Sequence, residues 1–215
     1  ETELIYGNMR ALCEAPQMML HYADIPYEYK MVWDHYGSSW AEVKKDIIFN
    51  RLPILIINED KYLWQSNTII RYLSNLTKTK PSDEFQLAYC DAVFESTHEM
   101  FSPLNPTINM TFGEKYNSNK KKLLEDILPN SLNNFEKLLQ NSSGNFFIGN
   151  DPFYCDFNAY HHFSMCLILD KNIFSNFPNL KKFINNFEKL NNIKNYLDSR
   201  PELVDLGESP HFLID

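Results

Sequence analysis

Arg51-Leu52-Pro53-Ile54-Leu55-Ile56-Ile57-Asn58-Glu59-Asp60-Lys61-Tyr62-Leu63-Trp64-Gln65-Ser66-Asn67-Thr68-Ile69-Ile70-Arg71-Tyr72-Leu73 reads as strand, turn, strand and helix. Residues 54–57 form the continuous apolar run that a strand covered on both faces requires. Asn58-Glu59-Asp60 is a turn, and residues 61–63 return as an antiparallel partner. Residues 66–76 then place Ile69, Ile70, Leu73 and Leu76 on one helical face.

Upstream, residues 3–6 are a short strand, and residues 13–22 carry Ala15, Met18, Met19 and Tyr22 at helical spacing. Pro16 falls in the first turn, where a missing N–H costs little. Asp24-Ile25-Pro26 breaks the helix, and residues 27–32 alternate as a second strand. The order is strand, helix, strand, a variable stretch, then hairpin and helix. That is the thioredoxin-like α/β pattern, in which helices cover a small mixed sheet. Downstream the strand signals stop. Residues 78–84 are a polar linker. Residues 85–101 and 119–139 read as helices, the second broken at Pro129. Residues 156–169 are apolar all round, as a helix at the centre of a bundle must be. Residues 179–190 and 191–196 complete a helical half. The expected organisation is α/β plus all-α: a thioredoxin-like domain over 1–77, the linker, a helical bundle over 85–200, and an irregular tail over 201–215.

Composition excludes several classes. The chain has 215 residues, with 20 basic and 28 acidic side chains and a net charge of −8. Nucleic-acid binding needs clustered positive charge, and the basic run 120–122 is answered at once by Glu125 and Asp126. No apolar run approaches the ~20 residues that span a bilayer, so no membrane partner is expected. The N-terminus lacks a basic stretch followed by an apolar one; the first residue is Glu1 rather than Met, which leaves room for a removed targeting segment. Cys13, Cys90, Cys155 and Cys166 make no C-x-x-C pair and no zinc spacing. Isolated cysteines fit a reducing, cytoplasmic compartment, and no metal is expected.

Leu4-Ile5-Tyr6-Gly7-Asn8-Met9-Arg10 with Glu14, Arg51-Leu52-Pro53-Ile54-Leu55, Gln65-Ser66 leading to Arg71-Tyr72-Leu73, Ile148-Gly149 leading to Asp156-Phe157, and the run from Tyr196 to Pro201 are the motifs. In order and spacing, over nearly the whole chain, they resemble the cytosolic glutathione transferases of sigma (prostaglandin D synthase-like) type. The resemblance implies a transferase with glutathione as co-substrate, acting on a small apolar electrophile or a lipid peroxide, and assembled as a homodimer. A free thiol has a pKa of ~8.5, so little thiolate exists at neutral pH. Tyr6 matches the tyrosine whose hydroxyl stabilises that thiolate. Two pKa units would take about 2.7 kcal/mol, within reach of a charge-assisted hydrogen bond and local dipoles. Leu52-Pro53 matches a cis-proline turn that exposes the Leu52 backbone to the cysteinyl part of glutathione. Gln65 and Ser66 match the γ-glutamyl carboxylate site at a helix start, with Ser66 expected to cap the helix. Trp40, Lys44 and Arg51 match the glycine end. Glu99 matches an acidic residue that reaches the glutathione amine across a dimer interface. Gly7, Met9, Leu12, Phe101 and His162 are the implied electrophile pocket.

Three positions depart from the resemblance. Gly7 replaces a phenylalanine. Leu12 replaces an arginine, and so removes positive charge near the thiolate. Phe153 replaces a capping Ser or Thr, for which Asp151-Pro152 is the expected substitute. The Leu12 change supports an alternative, a catalytically weak binding or scaffold protein. Cys13, at the start of the first helix, supports another, a cysteine-dependent thiol transferase. A small buried hydrophobe is the favoured reading of Cys13. His161 and His162 are expected in the core, with His162 able to face the electrophile.

Overall fold

The computed structural model describes residues 1–201 and 206–208. Most of the tail expected over 201–215 lies outside the described residues. Strands β1 (Thr2–Tyr6), β2 (Glu28–Met31), β3 (Ile54–Ile57) and β4 (Lys61–Trp64) form one sheet in the order β2-β1-β3-β4. β1 and β2 are parallel, joined through helix α1 (Glu14–Tyr22). β3 runs antiparallel to β1 and to β4, with Ile5 opposite Ile54 and Leu55 opposite Leu63. The variable stretch holds two short helices, α2 (Val32–Tyr36) and α3 (Trp40–Val43), and a turn at Ile48–Asn50. Helix α4 (Ser66–Leu76) buries Ile69, Ile70 and Leu73. Leu76, expected on the same stripe, is exposed at the last turn.

Among the described residues all later elements are helical: α5 (Glu84–Met110), α6 (Gly113–Lys122), a π-helical turn (Leu123–Ile127), α7 (Leu128–Asn141), α8 (Tyr154–Leu169), α9 (Pro178–Glu188) and α10 (Ile193–Ser199). α5 runs nine residues beyond its expected end, through Pro103 and Pro106. Each proline removes one helical hydrogen bond. The Thr107 hydroxyl donates to the Pro103 carbonyl at 2.9 Å, and Leu104, Thr107 and Ile108 continue the buried stripe. Before Pro129 the chain widens into the π turn, which is the break expected there. α6 starts six residues earlier than expected, because only Tyr116 is buried on it and no apolar stripe announces it.

α8 is the bundle's centre, with Tyr154, Phe157, Tyr160 and Phe163 fully buried. Each such aromatic contributes roughly 1.5–3 kcal/mol. Its start differs from expectation. Asp151-Pro152 does not cap it; Phe153 is the cap residue. The Asp156 carboxylate reaches back and accepts from the Phe153 N–H at 2.8 Å and the Phe147 N–H at 3.0 Å. Asp156 is fully buried, which pushes its carboxyl up to about 7 while those donors pull it down.

Candidate functional site

Tyr6 ends β1, where the strand gives way to the loop 7–10, and is 4% exposed. Its hydroxyl oxygen accepts from the Leu12 N–H at 3.3 Å. Burial, then the neighbouring Cys13, pushes the phenol well above its ordinary value, while the Leu12 N–H pulls it down. Tyr6 is therefore a neutral phenol at any physiological pH. With the Leu12 amide on its oxygen, its proton is left to donate elsewhere.

The loop after Tyr6 is pinned twice. The Gly7 carbonyl accepts from the Met9 N–H at 2.9 Å and from the Tyr29 hydroxyl at 2.8 Å. Tyr29, on β2, carried no signal in the sequence, because a lone strand tyrosine reads as core.

Leu52-Pro53 is a cis peptide bond. The Leu52 N–H and C=O take no partner among the described residues, since the ladder with β1 begins at Ile54. Gln65, at φ +70°, is the cap residue of α4, so Ser66 is its first helical residue and not its cap. The first intrahelical bond runs from the Ile69 N–H to the Gln65 carbonyl at 2.9 Å, and the amides of Ser66, Asn67 and Thr68 stay open ahead of it. Trp40 opens α3 and packs on Ile5, Val32, Ile47, Ile54 and Ile56; the Lys44 ammonium lies 5.9 Å from its ring centre. Arg51 is exposed. Glu99 is exposed on α5, on one stripe with Asp91 and Glu95, which pair with Arg71 of α4.

Two of the expected pocket residues are elsewhere. Phe101 and His162 are each 1% exposed and stack at 4.0 Å inside the core, with His162 Nδ1 on the Thr97 carbonyl at 2.9 Å. Leu12 is half-buried against the same core. Gly7 and Met9 do line a cavity of about 480 Å³, together with Arg10, Glu14, Tyr29, Met31, Tyr196 and Arg200. Arg200 pairs with Glu14 at 2.6 Å across 186 residues of chain, a pairing with no local sequence signature. Cys13 is 1% exposed, and burial and Glu14 push its thiol well above its ordinary value, so it is poorly suited to be a nucleophile. Among the described residues no cluster of His, Cys, Asp or Glu is arranged to hold a metal, and no helix is long and apolar enough to cross a membrane.

Comparison with known proteins agrees with this arrangement. The Glutathione S-transferase N-terminal domain family matches residues 2–75, and the corresponding C-terminal domain family matches residues 98–200. A Plasmodium yoelii yoelii glutathione S-transferase is 32% identical, covering 78% of this chain and 79% of its own. Human Glutathione S-transferase Mu 3 is 29% identical over 90% of this chain and 86% of its own. The solved Onchocerca volvulus Pi-class enzyme superposes with a TM-score of 0.81 at 25% identity, over 93% of each chain. The relatives thus span several classes, and the chain belongs to the glutathione S-transferase family.

Proposed function

We propose that the protein conjugates glutathione to small electrophiles, with Tyr6 donating its hydroxyl hydrogen bond to the glutathione sulfur. The observation that carries this reading is the Tyr6 hydroxyl: neutral, at the end of β1, its oxygen already satisfied by the Leu12 N–H. A neutral phenol favours a thiolate over a thiol, because its hydrogen bond to the charged sulfur is the stronger one. The sulfur then bonds to the electrophilic carbon. The electron pair displaced there leaves with the departing group, or is protonated on the neighbouring carbon.

The rest of the tripeptide has matching ground. The open Leu52 backbone suits strand-like pairing with the cysteinyl unit. The open amides at the start of α4, with Gln65 and Ser66, suit the γ-glutamyl carboxylate. Trp40, Lys44 and Arg51 suit the glycine end, with Lys44 as the charge partner. This is the sigma-type arrangement, and isomerisation of a lipid peroxide would use the same thiolate. The apolar Leu12 favours a second reading, a transferase-like binder with slow chemistry, since a backbone amide stabilises an anion less than a guanidinium does. We also read the protein as a cytoplasmic homodimer. Phe49 stands 60% exposed at φ +63°, and a groove of about 620 Å³ between α4 and α5 is lined by Leu63, Tyr72, Leu87 and Tyr154.

Calorimetric titration with glutathione, followed by conjugation of 1-chloro-2,4-dinitrobenzene, tests the reading. Binding with turnover supports the transferase, and binding without turnover supports the slow binder. Absence of both would overturn the assignment of the site.

A further inference from the structure

The cavity beside Tyr6 has a polarity that the proposed chemistry does not use. It is closed by the loop 7–10, by β2, by α1 and by the end of α10. Arg10 and Arg200 both line it. Arg200 is matched by Glu14 at 2.6 Å. Arg10 donates only to the Pro201 carbonyl among the described residues. Burial, and then the like charge of Arg200, lowers the Arg10 pKa, with Glu14 opposing. Burial also lowers His21, so it supplies no charge at neutral pH. His161 is 1% exposed with neither ring nitrogen partnered among the described residues, and the two guanidiniums help to hold it neutral. Among the described residues two cations thus face one carboxylate in a half-closed site, on a chain whose net charge is −8. The same lining holds Met9, Met31 and the Tyr29 ring, whose hydroxyl is already committed to the Gly7 carbonyl.

We propose that this cavity takes an amphipathic carboxylate, its charge on Arg10 and its chain along Met9 and Met31. On the reading that Tyr6 activates glutathione, the electrophile of this enzyme then carries a carboxylate of its own. Gly7 follows Tyr6 directly and walls the cavity, so a molecule anchored there lies next to the strand end that presents the hydroxyl. A guanidinium with no carboxylate bonded to it among the described residues gains a charge-assisted, two-point partner when a carboxylate enters. A neutral ligand of the same length leaves it unpaired.

Octanoate and octanol are suitable probes, because they share a chain and differ in charge. Calorimetry at low salt should find octanoate bound at least ~10-fold more tightly, with the gap narrowing at high salt. Arg10→Met should remove most of that gap, and Arg10→Lys should retain much of it. Met31→Glu, which brings a negative charge into the cavity and leaves Arg10 in place, should weaken octanoate at least ~10-fold by the same electrostatic logic, and carries the test should Arg10→Met not fold. Octanoate should also compete with the electrophile in the conjugation assay, and not with glutathione. Equal affinity for the two probes, an unchanged octanoate affinity in both Arg10→Met and Met31→Glu, or competition with glutathione would each overturn the cavity assignment. Octanoate bound through Arg10 by a protein that does not bind glutathione would support the cavity and overturn the transferase reading. Turnover of glutathione with no octanoate selectivity would do the reverse.

Discussion

A single hydroxyl and a single helix start carry most of the proposed chemistry. Tyr6→Phe removes the donor and leaves the ring, so glutathione affinity should stay within a few-fold. A hydrogen bond to a charged group contributes about 1.5–3 kcal/mol, so turnover should fall roughly 10- to 100-fold. Equal turnover in the two proteins, measured by steady-state kinetics, would remove Tyr6 from the mechanism. Ser66→Ala should weaken glutathione by about 1–3 kcal/mol through one lost carboxylate bond. Because Gln65 and not Ser66 is the cap residue, the thermal midpoint should hardly move. An unchanged dissociation constant would put the γ-glutamyl end elsewhere. The strand end at Tyr6, the cis turn at Leu52-Pro53 and the helix start at Gln65-Ser66 were legible in the sequence, because local pattern gave the elements and the resemblance to glutathione transferases picked out the residues. A core place for His162 was expected as well; Tyr29, Arg10 with Arg200, and the burial of Phe101 were not legible. Their roles depend on which distant segment lies opposite, and periodicity carries no such information.

Among the elements, those with a strong apolar stripe, α4 and α7, or a continuous apolar run, β3 and α8, were legible. α6 was cut short for want of a stripe, and α5 was ended too early because its prolines read as breakers. Tertiary burial of Leu104 and Ile108, with the Thr107 hydroxyl on the Pro103 carbonyl, outweighs the two lost bonds. The start of α8 shows the opposite situation. Its cap position holds Phe153, and the whole burden falls on Asp156 from inside the first turn. Asp156→Ala would leave the Phe147 and Phe153 amides without their acceptor, one of them in the core. At about 1–3 kcal/mol for each of the two stranded groups, chemical denaturation should show a loss of about 2–6 kcal/mol. Asp156→Asn keeps an acceptor oxygen and should lose less. If the alanine variant is as stable as the parent, the cap is supplied by something else.

For the whole molecule, charge and association are the properties to test. Burial, joined by neighbouring cationic groups, lowers His161 to about 3 and His162 well below its ordinary value. The unfolded chain takes up two protons near pH 6.5 that the folded one refuses, so stability is lost as pH falls below that point. Asp156, raised to about 7, works against this with one proton, held by the folded state and released by the unfolded one above about pH 3.9. These three groups leave a net of one proton, or about 1.4 kcal/mol lost per pH unit between 6.5 and 5, and His21 and His98, both lowered by burial, add to the loss. Urea midpoints that rise on acidification would contradict it. The proposed association would rest on Phe49. A phenylalanine held in the left-handed region and 60% exposed is costly in isolation. The groove between α4 and α5 is large enough for its ring, and Glu99 lies on the α5 stripe that Asp91 and Glu95 tie to Arg71 beside that groove. A two-fold pairing would put each Phe49 in the other chain's groove and bring each Glu99 to the shared face. Phe49→Asp should therefore give monomers at micromolar concentration, where the parent sediments as a dimer. Glu99→Ala should keep the dimer and weaken glutathione, through loss of the carboxylate that meets its amine. A parent protein that sediments as a monomer while binding glutathione tightly would overturn the pairing. A Phe49→Asp protein that stays dimeric would show that the two copies meet on another face.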